Sequence, residues 1–155
     1  MQQFFNAIRD GDARLVKEIL DKQPELANTQ DERGSTPLIL ATYYDRSEVV
    51  DVLLEHKADI NGKDASGNTA LMGICFKGFE GMAAKLIEKG ADVNAVNYND
   101  ATALIYAVTF AHKNIIHLLL DAGADISLRD ARGNTAAMHA KMQGLDEIAN
   151  LLDNR

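Results

Sequence analysis

The sequence predicts an all-α fold, a solenoid of stacked helix-turn-helix units with polar β-turn tips. The first observation behind this prediction is an internal repeat, because the segments that begin at Asn61, Asn94 and Ser127 resemble one another at a constant step of 33 residues. A fixed period of about 20–50 residues is the signature of a repeat array. The second observation is a threonine that precedes an apolar run in each of four units. The third observation is another apolar stripe, with helical spacing, later in each unit.

Each full unit opens with a polar turn. Gly34, Gly67 and Gly133 share one position in this turn, which predicts a backbone angle with φ > 0 there. Asp100 takes that position in the third unit, and aspartate visits the left-handed region more readily than most residues. The turns begin at Asp31, Asp64, Asn97 and Asp130.

A threonine then predicts the start of the first helix of each unit. Its hydroxyl can accept a free N–H of the first helical turn, and Pro37 follows one such threonine where a missing N–H has no cost. The four threonines are Thr36, Thr69, Thr102 and Thr135. Each first helix is expected to last about two turns and to end at a short break at Asp45, Gly78, Ala111 or Gly144.

The second helix of each unit has apolar residues at i, i+1, i+4 and i+5, as in Val49, Val50, Leu53 and Leu54. This stripe is typical of a helix packed on one side. Gly90 and Gly123 follow the stripe and are predicted to end their helices in the left-handed conformation, whereas the first unit has Lys57 at the equivalent position.

Residues 1–30 resemble a shortened unit that lacks the opening turn, with Phe4 and Phe5 on the expected apolar positions. At the other end Lys141 replaces an apolar or small residue, and a polar outer side is what the end of a stack requires. We therefore expect a single domain over residues 1–155 with five units, namely an N-terminal cap at 1–30, repeats at 31–63, 64–96 and 97–129, and a C-terminal cap at 130–155.

These features resemble the ankyrin-repeat family. The resemblance rests on the 33-residue period, the D-x-x-G-x-T-P-L opening at 31–38, the Leu-Leu pairs at 53–54 and 119–120, and the closing A-D-I-N and G-A-D-V-N segments. It implies an ankyrin-repeat solenoid with turn tips projecting at about a right angle to the helices. The histidine that the family often has after T-P-L is replaced here, by Ile39 in the first full repeat, which leaves the fold prediction intact.

The composition narrows the classes of partner. A net charge of −7 disfavours nucleic acid and anionic membranes, both of which bind basic surfaces. Cys75 is the single cysteine, so no internal disulfide forms. The first residues lack a basic segment followed by a long apolar run, so we expect a cytoplasmic chain, and a monomer.

No catalytic motif is present. The chain lacks a glycine-rich phosphate loop and paired metal-ligand spacings. His112 and His117 do not share a helix face, and His56 and His139 are isolated, so all four are expected to be solvated. Cys75 is expected to be a small buried residue. We therefore expect no enzyme activity, no cofactor and no metal.

Function is expected on the surface instead. The resemblance implies that a protein partner binds the concave face, formed by the turn tips and the exposed side of each first helix, in a regulatory or scaffolding role. Carried over to this sequence, that face has eleven candidate residues: Arg33, Tyr43, Tyr44, Phe76, Lys77, Tyr98, Asn99, Thr109, Phe110, Arg132 and Met142.

Aromatic residues concentrate on that face. The chain has four tyrosines, five phenylalanines and no tryptophan, and five of these fall on the candidate positions. Aromatic side chains are enriched among residues that dominate binding energy. The alternative is that Phe76 and Phe110 fold back over the first helices, while Tyr106 is expected in the core.

The second full repeat leaves two further questions open. Gly73 lies inside its first helix, so this repeat is either the least stable part of the stack or one whose glycine permits close packing. A pocket here, near Cys75 and Phe76, would instead favour a small-molecule or peptide-ligand receptor.

Asn61 and Asn94 resemble sites of asparagine hydroxylation, but their expected role is to tie neighbouring turns by hydrogen bonds.

Overall fold

The computed structural model describes all 155 residues and contains ten α-helices, a short 3-10 helix and no β-strand, which confirms the all-α prediction. The helices form five consecutive pairs. They are α1 (Gln2–Asp10) with α2 (Ala13–Lys22), α3 (Pro37–Tyr43) with α4 (Ser47–Glu55), α5 (Ala70–Lys77) with α6 (Glu80–Glu88), α7 (Ala103–Thr109) with α8 (Lys113–Asp121), and α9 (Ala136–Met142) with α10 (Asp146–Asp153). The 3-10 helix, Pro24–Asn28, was not predicted from the sequence.

The helices lie in two layers. The first helices α1, α3, α5, α7 and α9 each contact the next first helix, while α2 packs on α4 and α6 packs on α8 in the second layer. One continuous apolar cluster runs from Phe4 to Leu152, and Leu53 and Leu86 at its centre are fully buried. Each pair therefore buries its apolar face against its neighbours, as a repeat array requires.

Threonine hydroxyls cap the first helices as predicted. Thr36 accepts the N–H of Ile39 at 3.1 Å. Thr69, Thr102 and Thr135 accept the equivalent N–H at 3.4, 3.1 and 3.3 Å. An N-cap of this kind contributes about 1 kcal/mol to helix stability, so the caps fix where each first helix begins.

The four turn tips share one hydrogen-bonding pattern. Oδ1 of Asp64 accepts the N–H groups of Ser66 and Asn68, both at 2.9 Å. Asp31, Asn97 and Asp130 accept the corresponding two N–H groups in their own tips at 2.9–3.0 Å. Because the side chain satisfies the turn's backbone donors, the tips have the same local structure and their residues can be compared position by position.

The predicted left-handed positions are confirmed. Gly67 has φ +80°, and a Cβ there would lie 2.8 Å from the Tyr98 ring, so both the backbone angle and the space require glycine. Asp100 adopts φ 58° at the equivalent position of the third tip. Lys57 adopts φ 65°, the conformation that Gly90 and Gly123 supply in the following repeats.

Asparagine side chains tie each unit to the next. Oδ1 of Asn61 accepts the N–H of Asp92 at 2.8 Å, and Oδ1 of Asn94 accepts that of Asp125 at 2.7 Å. Asn28 makes the same bond to the N–H of Asp59. The expected structural role of Asn61 and Asn94 is therefore confirmed.

Gly73 lies in open space. Nothing approaches within 4 Å of the position that its Cβ would take, so the alternative that this glycine permits close packing is wrong. The glycine leaves a gap on the exposed side of α5 and lines a groove there. Lower stability of this repeat stays a prediction.

We predict that amide hydrogens of residues 70–85 exchange faster than those of residues 103–120. The physical reason is that a glycine inside a helix costs about 0.5–1 kcal/mol relative to alanine. Because the added methyl group of Gly73→Ala meets no atom, this substitution should recover that free energy in urea unfolding and slow exchange in the segment.

Gly78→Ala serves as the control, because Gly78 has φ +81° and its Cβ would collide with the ring of His112. This variant should lose stability. Equal protection of the two segments in hydrogen-exchange mass spectrometry would refute the prediction.

A second prediction concerns the contact between α2 and α4. The ring of His56 lies 2.8 Å from both Asp21 Oδ1 and the Val52 carbonyl oxygen. Both partners accept hydrogen bonds, so both ring nitrogens must carry protons. The hydrogen bond to Asp21 is the main cause that raises the pKa of His56, while the hydrogen bond from Lys17 chiefly lowers the pKa of Asp21.

Since the pKa of His56 is higher in the folded chain, its stabilising contribution is complete below the unfolded value of about 6.5. It is lost as the pH rises through the folded value. We therefore expect the advantage of the wild type over His56→Gln in free energy of unfolding to shrink as the pH rises above about 6.5. An advantage that grows as the pH rises would contradict the assignment.

Candidate functional site

The turn tips and the first helices enclose a groove of about 810 Å³. Its lining comes from the first two tips and from α1, α3, α5 and α7, so this face of the molecule is hollow. Four of the candidate residues line the groove: Arg33, Tyr43, Tyr44 and Phe76. We use the term concave face for the four tips together with the exposed side of α3, α5, α7 and α9.

Four aromatic side chains form a surface across α3, α5 and α7. The rings of Tyr43 and Tyr44 meet edge to face at 5.2 Å between centroids, and those of Phe76 and Phe110 do so at 4.7 Å. Edge-to-face contact is a preferred geometry for aromatic pairs. The ammonium group of Lys77 lies 4.2 Å from the Tyr43 ring centroid and 5.4 Å from the Phe79 ring centroid. We call these four rings the aromatic surface.

The aromatic surface is exposed to solvent. Phe76 is 50% exposed and Phe110 is 42% exposed, although each covers one side of the other. Tyr43 and Tyr44 are exposed to a similar degree, at 47% and 42%. The two phenylalanines pack against each other, and neither belongs to the partly buried residues that pack on the core, so folding back over the first helices is not observed.

The candidate residues of the tips lie in a fixed register. Arg33, Tyr98, Asn99 and Arg132 are all exposed, and Tyr98 is the most exposed aromatic residue at 71%. The N–H of Tyr98 donates to the carbonyl of Ser66 at 3.1 Å. The next pair of tips is tied in the same way, through the carbonyl of Asn99. The second, third and fourth tips are thus joined by backbone hydrogen bonds, which fix the spacing of their side chains.

The remaining candidates differ in what they offer. Met142, at the end of α9, is 63% exposed. Thr109 is half-buried and its hydroxyl donates to the carbonyl of Ile105 at 2.7 Å, so this hydroxyl serves its own helix. Lys77 is half-buried because it lies over Tyr43.

The groove is also lined by residues outside the eleven candidates. They include Asp64, Asn68, Met72, Gly73 and Tyr106. Tyr106 corrects the expectation of a core residue, because it is half-buried and its hydroxyl accepts a hydrogen bond from Asn97 at 2.9 Å. A comparison of the ninth residue after the start of each tip would have indicated this position, since it holds Leu40, Gly73, Tyr106 and His139.

The groove carries charges of both signs. Arg9 of α1 lies 3.5 Å from Asp31 Oδ2, so these two groups neutralise each other. Arg33 is exposed and forms no ion pair, and Asp64 also has no ion-pair partner. An exposed arginine remains well solvated, whereas a half-buried carboxylate loses part of its hydration.

The expectation of solvated histidines is wrong for three of the four. His56 pairs with Asp21, and Nε2 of His139 lies 2.7 Å from Asp130 Oδ2. His112 is half-buried, with Nε2 3.3 Å from the carbonyl oxygen of Phe76. Sequence spacing missed these contacts because the partners of His56 and His112 lie on neighbouring units.

The acidic partner of His139 is held in its ionised form. Burial acts to raise the pKa of Asp130, but the N–H of Asn134 and the ring of His139 donate hydrogen bonds to the carboxylate. The N–H of Arg132 adds a third such bond. Together these bonds hold the pKa of Asp130 below its ordinary value. This pair stabilises the last tip.

No catalytic arrangement is apparent at Cys75. The side chain is fully buried, as expected, and burial raises the pKa of the thiol well above its ordinary value. No group of three His, Cys, Asp or Glu side chains comes together in a way that would hold a metal ion. None of the helices has both the length and the apolar character needed to span a bilayer.

Comparison with known proteins identifies similar sequences. The family described as "Ankyrin repeats (3 copies)" matches residues 4–97, 62–130 and 95–154. A segment of 57 residues is 40% identical to ankyrin repeat and SAM domain-containing protein 6 of Rattus norvegicus and 35% identical to the protein of that name in Danio rerio. This segment is 37% of the present chain but only 6% and 8% of those relatives, so the similarity covers a small part of their length.

Proposed function

Since the chain belongs to the ankyrin-repeat family, whose repeats generally serve as protein–protein interaction modules, we propose that it binds a protein partner on its concave face. The observation that carries this proposal is the aromatic surface. Its four rings are 42–50% exposed, although the chain buries the side chains of Phe4 and Phe5 almost completely.

A surface of exposed aromatic side chains is well suited to binding a protein. Tyrosine and phenylalanine bury a large area at low entropic cost, and aromatic residues are enriched at the centre of protein interfaces. Tyr44, Tyr43, Phe76 and Phe110 lie on consecutive first helices, two pairs of them joined by ring contacts. An interface of ordinary size, about 800 Å² per partner, would cover them together with the nearest tips.

The tips supply a polar border to that surface. Arg33, Asn99 and Arg132 are exposed, and Tyr98 leans across Gly67 of the preceding tip. Interfaces commonly have an apolar centre surrounded by polar residues that remain accessible to water. Because backbone hydrogen bonds link the second, third and fourth tips, little order has to be created there on binding.

A protein partner is favoured over a small molecule. The groove has a volume within the range of about 300–1,000 Å³ that is typical of small-molecule sites. However, fewer than half of its lining residues are hydrophobic, and Cys75 does not reach it. Small-molecule sites are lined mainly by apolar side chains, so this mixed groove suits a polypeptide segment better.

The proposal also concerns the setting of the interaction. We propose a cytoplasmic monomer that acts without catalysis, by holding or regulating the protein it binds. The net charge of −7 supports a protein partner over nucleic acid or an anionic membrane.

We predict that the double variant Tyr44→Ala/Phe110→Ala keeps the fold and loses the partner. Both side chains are 42% exposed, so their removal should leave the helical circular dichroism and the unfolding transition nearly unchanged. Affinity capture from the source cell with the wild type, followed by mass spectrometry, would identify the partner. The dissociation constant of the complex with this partner should then be about tenfold higher, or more, for the variant.

The matched control is Glu88→Ala/His117→Ala, which removes two exposed side chains from the second helices. This variant should bind like the wild type. Unchanged capture by Tyr44→Ala/Phe110→Ala, or loss of capture by the control variant alone, would reject the concave face as the docking site.

A further inference from the structure

The first residue of each tip has a second polar atom that faces the first helices, and in three of the four tips this atom has a partner. Oδ2 of Asp130 pairs with His139, and Nδ2 of Asn97 donates to the hydroxyl of Tyr106. Both partners stand nine positions after the start of their own tip. In the first full repeat that position is Leu40, and Arg9 of α1 pairs with Asp31 Oδ2 instead.

Asp64 is the exception. Its Oδ1 accepts two backbone N–H groups as in the other tips, but no side chain donates to its Oδ2. The ninth position after Asp64 is Gly73, which has no side chain to offer. The fold therefore holds a carboxylate in place, half-buried and without an ion-pair partner, at the one tip where neither the ninth position nor another helix supplies a donor to this atom.

The missing side chain leaves a notch in the groove. Apart from the neighbouring backbone of α5, no atom lies within 4 Å of the Cβ position of Gly73. Side chains of three aromatic residues, Tyr43, Phe76 and Tyr106, line the same groove as Asp64 and Gly73. We call this part of the groove the Asp64 notch. It combines a fixed negative charge with aromatic walls.

We propose that the Asp64 notch binds an arginine side chain of the protein partner. A guanidinium group can donate two hydrogen bonds to a carboxylate and can stack on aromatic rings, and its aliphatic stem suits an apolar wall. The inference rests on the proposed function and adds to it the chemistry of the segment that enters the groove.

No cation of this chain is paired with Asp64. Arg9 pairs with Asp31, Lys77 lies over the ring of Tyr43, and Arg33, which also lines the groove, forms no ion pair. The net charge of −7 also draws a basic partner toward the chain.

A direct test uses a small probe, N-acetyl-arginine amide, followed by NMR of the full chain. We expect the amide resonances of Ser66, Asn68 and Gly73 to shift, with a dissociation constant on the order of 1–10 mM for a single side chain. N-acetyl-citrulline amide has nearly the same shape without the charge, and it should produce no comparable shifts.

Two variants test the notch without disturbing the fold. Asp64→Asn keeps both backbone hydrogen bonds, because Asn97 makes the same two bonds at the equivalent position of the next tip. Gly73→His supplies the partner that His139 provides to Asp130 in the last repeat. Both variants should retain the unfolding midpoint or exceed it, and both should weaken arginine binding about tenfold or more.

Several results would overturn the inference. They are equal shifts with the citrulline probe, no arginine-dependent shifts up to roughly 10 mM, or full arginine binding by Asp64→Asn. Shifts with N-acetyl-aspartate amide instead would assign the groove to an acidic segment. The notch can fail while the proposed function holds. Loss of capture by Tyr44→Ala/Phe110→Ala, without arginine-specific shifts, would support the concave face and reject the notch.

Discussion

The structure depends on one constraint: no helix pair can bury its apolar face without the pair beside it. The buried cluster is continuous from the first pair to the last, and its residues repeat at the same positions of each unit. Polar joints reinforce this packing, because the side chains of Asn28, Asn61 and Asn94 each bind the backbone of the following unit. Stability is therefore shared between neighbours.

The same constraint determines which positions are free for recognition. Packing and joints occupy the inner sides of both helix layers, so the tips and the outward side of the first helices can vary without loss of the fold. Departures from the repeat collect there. They include the aromatic surface and Gly73, whose missing side chain leaves Asp64 without the partner found in the other tips. The binding site that we propose is thus a set of local exceptions on a regular scaffold.

Features that depend on local sequence could be predicted well. The threonine caps, the left-handed positions at Gly67 and Asp100, and the burial of Cys75 follow from the residue and its near neighbours. Features that depend on side-chain partners could not. His56 meets Asp21 of another helix pair, and the groove draws its lining from four of the five units, so spacing within one unit gave no sign of either. The clue to Tyr106 and Gly73 lay in comparing equivalent positions between units.

Docking of the partner on the concave face can be measured directly by hydroxyl-radical footprinting of the chain with and without its captured partner. Oxidation of exposed aromatic side chains reports where a partner excludes water. If the partner docks there, Tyr44, Phe76 and Phe110 will be strongly protected from oxidation, and the oxidation of His117 on the second helices will be unchanged. Protection of the second helices, with the aromatic surface oxidised as fast as in the free chain, would contradict this docking.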